Sequence, residues 1–299
     1  LPPPQKGKLA SRSGRSYREC YQLLLAQENV ILTHNSDFGR EEYVEWLDAP
    51  EEKNLTIHNG VDTTFTENSS KGSRIDIINT LELEKDSLIV GYVGRFTTDK
   101  RPWLFLKTAE SIIMNNGVKG KQSDELREWF DSIEGSSDYD AEVIENNHVK
   151  KPIHFVMLGD GPQFDRAKGI IERSDILKNR MHLIGFSNKV NSYLNEFDCF
   201  LLTSKVEGLP NVIIEAQSRG VSVVSTDVGG AKECLLEGET GFISQNGYPD
   251  SLAKLVLDIL SDEEFRNRTS EKSPKFVIDK FGEKTWSRNM NKLYSGGLG

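Results

Sequence analysis

The chain lacks three features that would each define a class of protein. Among its 299 residues there is no apolar run of about 18, so no segment is predicted to cross a membrane as a helix. The three cysteines, Cys20, Cys199 and Cys234, are far apart, which argues against a disulfide scaffold and a structural zinc site. Positive charge is also scarce: 37 Lys and Arg against 46 Asp and Glu leave a net charge of −9, which argues against nucleic-acid binding through overall charge.

The centre of the chain does contain a regular alternation of short apolar runs and helical patterns. The runs predict strands at Leu88–Val93, Ile153–Leu158, His182–Ile184, Cys199–Thr203, Ser222–Ser225 and Gly241–Ile243. The patterns between them predict helices, notably Trp103–Met114, Gln163–Glu172, Val190–Glu196, Asn211–Arg219 and Asp250–Leu260. Strands that alternate with helices of this length form βαβ units. The predicted fold class is therefore α/β, a doubly wound parallel sheet of Rossmann type.

One stretch, at about residues 117–151, does not fit this alternation. It is much longer than the roughly 2–6 residues that usually connect a strand and a helix. Leu126, Trp129, Phe130 and Ile133 recur at helical spacing within it. We therefore predict an inserted amphipathic helix with an acidic flank.

Ligands of doubly wound sheets bind at the carboxyl ends of the strands, which directs attention to four loops. In the first, Gly94 permits a tight turn, and Arg95 and Lys100 are two cations that suit a diphosphate. Two solvated surface cations are the alternative. In the second, Gly159 and Gly161 open space above the sheet or form an ordinary strand-to-helix turn.

The third loop, Thr203–Ala216, is the most informative. A helix is predicted to begin near Pro210, so early amides such as those of Leu209, Asn211 and Val212 could bind an anion. Glu215 follows among apolar residues and would need a partner there, such as ribose hydroxyls; an acid that faces water near the helix start is the alternative. In the fourth loop, Gly229 and Gly230 permit close backbone approach or form a structural turn.

Taken together, these motifs resemble those of a known family. Glu207 and Glu215 form an E-x7-E pattern, which follows GYVGRFTTDK and HFVMLGDGP and is preceded by NGVD at Asn59–Asp62. This order resembles the retaining glycosyltransferases of family four, which have the GT-B fold, over about residues 30–292. The resemblance implies a tail of the N-terminal acceptor domain at 1–58, partly flexible, a Rossmann-like nucleotide-sugar domain at 59–275, and a C-terminal helix at 276–299 that crosses back to the N-terminal domain.

The resemblance also implies roles for individual residues. The catalytic set would be Glu207, which contacts the transferred sugar, with Arg95 and Lys100 on the donor diphosphate. Glu215 would hold the ribose hydroxyls. The remaining substrate-binding residues would be Gly94 beside the diphosphate, Ser187 in the loop that meets the nucleobase, and Gly208, Leu209, Asn211 and Val212, whose amides support the phosphates or the sugar.

The implied activity is transfer of a hexose from a UDP- or GDP-sugar to a glycan or lipid-linked acceptor, with retention at the anomeric carbon. No metal or other cofactor is expected. Asp138 and Asp140 spell a DxD motif, but they lie in the acidic insertion and are interpreted as a solvated run. The histidines are scattered along the chain and are assigned to packing or the surface, and nucleic acid is not expected as a partner.

Members of this family have a much longer segment ahead of the position of Val30. The chain is therefore expected to be a C-terminal fragment that binds the donor, with the acceptor half absent and little turnover on its own. A non-catalytic nucleotide-sugar module that pairs with a separate acceptor polypeptide is the main alternative, and another GT-B enzyme, such as an epimerase or a phosphorylase, is a third. A cytoplasmic location is expected, with peripheral association at the inner face of the membrane left open.

Overall fold

The computed structural model describes residues 12–61, 74–135 and 149–295. The N-terminal part contains α1 (Arg12–Leu25), β1 (Leu32–His34), α2 (Asp37–Leu47) and β2 (Asn54–Thr56). Strands β1 and β2 pair in parallel, and a small core of Leu25, Trp46 and Leu47 joins the two helices. None of the helices in the described ranges combines the length and the apolar character that a membrane-crossing segment needs.

The rest of the chain is built around a six-stranded parallel sheet. Its elements, in chain order, are α3 (Arg74–Thr80), β3 (Leu88–Val93), α4 (Pro102–Asn115), α5 (Asp124–Glu134), β4 (Ile153–Leu158), α6 (Phe164–Arg173), β5 (Met181–Gly185), α7 (Val190–Leu194), β6 (Cys199–Leu202), α8 (Asn211–Gln217), β7 (Ser222–Thr226), β8 (Gly241–Ser244), α9 (Pro249–Ser261), α10 (Glu263–Phe281) and α11 (Glu283–Tyr294). The strand order is β5-β4-β3-β6-β7-β8. This order reverses between β3 and β6, as in a Rossmann fold.

Both faces of the sheet are covered. Alternate strand residues point to opposite sides, so Val90 and Phe155 join one apolar cluster and Ile89 and Val156 join the other. The first cluster includes buried residues of α4 and α9, and the second includes those of α8 and α10. The prediction of a doubly wound α/β sheet is therefore confirmed, and each predicted strand lies within one residue of its observed bounds at either end.

The inserted amphipathic helix is also confirmed, as α5. Leu126, Trp129 and Phe130 are buried against the first cluster, and Ile133 packs beside them. The rings of Trp129 and Trp103 lie 5.5 Å apart, and the Arg166 guanidinium sits 4.7 Å above Trp129. The helix is thus integrated into the core of the domain. The DxD motif and the acidic flank at 136–148 lie outside the described residues.

The two C-terminal helices extend the second face of the sheet. Helix α10 buries a stripe of five residues at a spacing of four, namely Phe265, Thr269, Ser273, Val277 and Phe281. It is followed at once by α11, whose Trp286 packs against Gly60: a Cβ on that glycine would lie 2.9 Å from Trp286 Cγ. Helix α11 therefore returns to the segment that follows β2.

Two histidines meet at the amino ends of the strands. His154 Nδ1 lies 3.0 Å from His182 Nε2, and His154 Nε2 lies 2.8 Å from Glu84 Oε2. With Nε2 of His154 donating to the carboxylate, Nδ1 accepts from His182, so the chain of bonds is complete when both rings are neutral. Burial lowers the pKa of His154, and burial together with the neighbouring His154 lowers that of His182 to about 4.

This pair predicts acid sensitivity. The unfolded chain binds protons on these rings below the ordinary pKa of 6.5, whereas the folded chain does not, so stability should be full above pH 6.5 and fall as the pH drops towards about 4. The His182 ring is partly exposed, so we expect a loss of about 1–2 kcal/mol from this pair. Urea unfolding at pH 7.5 and pH 5 measures it, with the His154→Gln/His182→Gln variant as the control. An equal pH dependence in both chains would refute the prediction.

Candidate functional site

The loops that leave β3 and β6 meet where the strand order reverses, which is the position where ligands of such sheets bind. Several hydrogen bonds join them. The Lys205 amide donates to the Asp99 carbonyl at 2.7 Å, and the Thr203 hydroxyl lies 3.0 Å from the Lys100 carbonyl. Two segments about a hundred residues apart in sequence are thus held as one unit.

An ion pair connects the cation and the acid that the sequence singled out on these loops. Lys100 Nζ donates to Glu207 Oε1, and the two side chains are 23% and 11% exposed. The buried Tyr92 lies beneath, and its hydroxyl donates to the Arg95 carbonyl at 3.1 Å. Burial, and secondarily the charge of Glu207, raises the pKa of Tyr92, so this hydroxyl keeps its proton. The site therefore has a charged pair in a partly desolvated setting.

Glycines let neighbouring loops support this unit from below. A Cβ on Gly159 (φ +129°) would lie 1.9 Å from the Gly94 carbonyl oxygen, and one on Gly229 (φ +48°) would lie 2.2 Å from that of Glu207. The Gly230 amide donates to the Gly208 carbonyl at 2.7 Å. The sequence left the roles of the second and fourth loops open. In the structure, the second loop packs closely against the first, and the fourth packs closely against the third.

A cleft of about 620 Å³ opens above the ion pair. One wall, on the domain of the large sheet, includes Arg95, Lys100, Glu207 and Gly208. Arg95 is exposed, and among the described residues its side chain has no hydrogen bond or ion pair. The cleft thus brings the two cations together with three carboxylates, those of Glu42, Asp99 and Glu207, and this mixed lining suits an anionic ligand that also carries hydroxyl groups.

The opposite wall comes from the N-terminal part, and sequence reasoning missed it as part of a site. It includes His34 and Asn35 at the end of β1, and Phe38 and Tyr43 on α2. A Cβ on Gly208 would lie 3.4 Å from Asn35 Oδ1, so the two walls touch at their base. Burial lowers the pKa of His34, whose Nε2 lies 3.0 Å from Asn54 Oδ1. The signal in the sequence was weak, since no motif marks these residues.

Glu233 connects this second wall to the domain of the large sheet. Its carboxylate accepts hydrogen bonds from the Asp37 and Phe38 amides at the start of α2, both at 2.9 Å, and lies 2.8 Å from His58 Nε2. Burial raises the pKa of Glu233, but these hydrogen bonds outweigh burial and leave the pKa below its ordinary value. The carboxylate therefore stays charged, as a helix N-terminus favours.

The histidines are less scattered in space than in sequence. His154 and His182 form a pair, and His58 joins Asp37 and Glu233 in a group whose ligand atoms lie within 4.8 Å of one another, close enough to hold a metal ion. The Glu233 oxygens already accept two amide hydrogen bonds and contact His58. The geometry of this group is that of a hydrogen-bond network between the two walls.

The other predicted site residues lie away from the lining of the cleft. Glu215, in α8, is half-buried; burial raises its pKa, partly offset by Arg219, and within the described part of the chain no hydrogen bond reaches its carboxylate. Leu209 and Val212 pack on the second apolar cluster. The Asn211 side chain accepts from Asn59 at 3.2 Å, and the Ser187 hydroxyl accepts from the Lys189 amide at 3.0 Å.

Comparison with known proteins identifies the family. Residues 141–276 match the model of the glycosyl transferases group 1. The Vi polysaccharide biosynthesis protein VipC/TviE of Salmonella typhi is 30% identical over 244 residues, which cover 81% of this chain and 36% of that protein. The UDP-Gal:alpha-D-GlcNAc-diphosphoundecaprenol alpha-1,3-galactosyltransferase of Escherichia coli is 28% identical over 236 residues, covering 78% of this chain and 51% of that enzyme.

A solved structure shows the same fold. HepE of Anabaena, solved in complex with UDP, superposes with a TM-score of 0.74 at 17% identity, covering 99% of this chain and 71% of HepE. The chain spans about a third to a half of the two curated relatives above. The resemblance to glycosyltransferases drawn from the E-x7-E and neighbouring motifs is thereby confirmed. Residues 141–276 belong to the group 1 glycosyl transferases.

Proposed function

We propose that the cleft binds the diphosphate of a UDP-sugar and that the protein transfers the sugar, with retention of anomeric configuration, to a glycan or lipid-linked acceptor. The observation that carries this proposal is the meeting of Arg95, Lys100 and Glu207 at the point where the strand order reverses. UDP is favoured over GDP because HepE was solved with UDP and with UDP-glucose, and because the Escherichia coli relative is named for UDP-Gal.

The charges account for the chemistry. As the bond from the sugar to the diphosphate breaks, negative charge grows on the departing phosphate, and Arg95 and Lys100 would stabilise it. Lys100 is paired with Glu207 in the structure. When phosphate oxygens replace Glu207 as the ionic partner of Lys100, the Glu207 carboxylate becomes free to contact the sugar. The half-buried carboxylate of Glu215, which accepts no hydrogen bond within the described residues, would accept hydrogen bonds from the ribose hydroxyls.

The acceptor is proposed from the relatives. The Escherichia coli enzyme is named for a diphosphoundecaprenol-linked acceptor, and the Salmonella typhi protein for polysaccharide biosynthesis. Because the chain spans only part of these relatives, we expect the residues that select the acceptor to lie largely outside it. The isolated chain should therefore bind the donor with little transfer.

Isothermal titration of the chain with UDP, GDP, ADP and UMP tests the donor assignment. We expect one UDP site, with UMP at least tenfold weaker because it lacks the second phosphate that Lys100 and Arg95 would contact. GDP and ADP control for the base. Tighter binding of GDP than of UDP would change the assignment of the base but not that of the diphosphate site. Failure of every nucleotide to bind would refute the proposal.

A further inference from the structure

The residue next to Lys100 has an unusual backbone. Arg101 has φ 47° and ψ 58°, the left-handed conformation, and is one of three non-glycine residues with positive φ among the described residues. A bulky side chain is strained in this conformation and persists there only where its surroundings hold it. The contacts of the Arg101 side chain are therefore informative.

Those contacts run to the end of β6. Arg101 Nε donates to the Thr203 carbonyl at 2.7 Å, and Nη2 donates to the Ser204 carbonyl at 2.9 Å. The Thr203 hydroxyl reaches back to the Lys100 and Arg101 carbonyls, at 3.0 and 3.1 Å. The guanidinium thus spans the gap between the segment that bears Lys100 and the one that leads, three residues later, to Glu207.

The inserted helix α5 contributes to the same joint. Its last residue, Glu134, is 16% exposed and places Oε1 3.8 Å from Arg101 Nη1 and Oε2 3.9 Å from Lys205 Nζ. Oε1 is buried and has no hydrogen-bond partner among the described residues, so within them it acts through its charge. Glu134 therefore faces one cation on each of the two loops.

We propose that Arg101 is a positioning residue that sets the separation of Lys100 and Glu207, and that α5 holds its guanidinium in place through Glu134. This inference rests on the proposed donor site. Arg101 is 14% exposed and does not line the cleft, and two of its guanidinium nitrogens donate to carbonyls of the protein. It acts on the ligand through Lys100.

The test uses two substitutions, each with a control that makes the same chemical change at an exposed ion pair. Arg101→Lys keeps the positive charge but loses the planar guanidinium that donates from two nitrogens. Arg173→Lys makes the same change at the exposed Arg173–Glu125 pair. Glu134→Gln removes the acid from the joint, and Glu125→Gln removes an acid from elsewhere on α5. Isothermal titration of the unaltered chain and all four variants gives the affinity for UDP and for UMP. The ratio of the two affinities gives the contribution of the second phosphate.

We expect Arg101→Lys to weaken UDP binding at least fivefold and to leave UMP binding within twofold, because UMP lacks the phosphate that Lys100 would contact. A general loss of structure would weaken both equally. Glu134→Gln should weaken UDP binding about threefold. If Glu134 acted only by repelling the anionic ligand, its removal would strengthen binding, so the sign separates the two roles. The two controls should change neither affinity.

Two results would overturn the positioning role alone: UDP affinity unchanged in Arg101→Lys while the unaltered chain binds UDP, or equal losses for UDP and UMP. Tighter UDP binding by Glu134→Gln would refute the proposed role of α5 in holding the Arg101 guanidinium. If the unaltered chain binds no nucleotide, the proposed donor site fails, and the role of Arg101 fails with it.

Discussion

Replacement of Lys100 by alanine is expected to weaken UDP binding about tenfold or more. A charge-assisted hydrogen bond to phosphate contributes at least 1.4 kcal/mol, roughly the free energy of a tenfold change in affinity. Arg95→Ala should have a similar effect, since Arg95 is exposed at the same cleft and has no competing partner among the described residues. Isothermal titration measures both.

The Lys100–Glu207 pair provides an internal check on this result. Glu207→Gln leaves Lys100 without its ionic partner, so UDP should bind at least as tightly as to the unaltered chain, while Lys100→Ala loses affinity. Lys119→Ala, an exposed lysine away from the cleft, is the matched control. Unchanged UDP affinity in both Lys100→Ala and Arg95→Ala would mean that the diphosphate site is wrongly assigned.

Gly229→Ala should cost about 2–3 kcal/mol of the free energy of unfolding. At φ +48° a Cβ is strained, and it would lie 2.2 Å from the Glu207 carbonyl oxygen and 2.8 Å from that of Gly208. Relief of this contact must move the peptide that carries Glu207, so UDP affinity should fall as well. Urea unfolding and titration of the same variant measure the two effects.

Gly238 separates backbone strain from steric contact. It has φ +75°, but a Cβ there would meet nothing within 4 Å. Gly238→Ala should therefore lose only about 1 kcal/mol of stability, the cost of the left-handed conformation, with UDP binding unaffected. If the two alanine variants lose the same stability, the contact between Gly229 and Glu207 has no energetic weight.

The sheet could be predicted because buried parallel strands leave a strong local signal. Runs such as Leu88–Val93 and Ile153–Leu158 are apolar apart from His154, and the structure buries almost all of their residues. Helix α5 was predicted for a similar reason, since its aromatic residues recur at helical spacing. In both cases the residues that become buried lie close together in sequence, so a short segment is enough to predict the element.

Helix α10 was missed because its buried stripe is partly polar. Thr269 and Ser273 occupy two of the five buried positions, and Pro274 lies inside the helix. Ser273 is accommodated because its hydroxyl lies within hydrogen-bond distance of two carbonyl oxygens, that of Gln217 at 2.8 Å and that of Thr269 at 2.9 Å. The Thr269 hydroxyl donates to the Glu239 carbonyl at 3.4 Å. Part of the explanation therefore lies in distant segments, and the sequence of α10 alone does not reveal it.

The site was predictable on one side only. Arg95, Lys100 and Glu207 follow strands at known positions, and a sheet brings such loops together. His34, Asn35 and Phe38 reach the cleft because Glu233, about two hundred residues later, binds the amides at the start of α2. A contact between residues so far apart in sequence leaves no local sequence pattern. The close packing of Gly229 against the Glu207 carbonyl leaves none either.

The hydrogen bonds of Glu233 also determine where this protein can be joined to another. A chimera that takes its N-terminal part from a relative, with the junction after His58, would pair a foreign α2 with Glu233 and replace one wall of the cleft. A junction ahead of Leu32 keeps the Leu32–His34 strand, α2 and the domain of the large sheet together. Both walls of the cleft then come from one protein, so we expect recombination between relatives to be best tolerated upstream of Leu32.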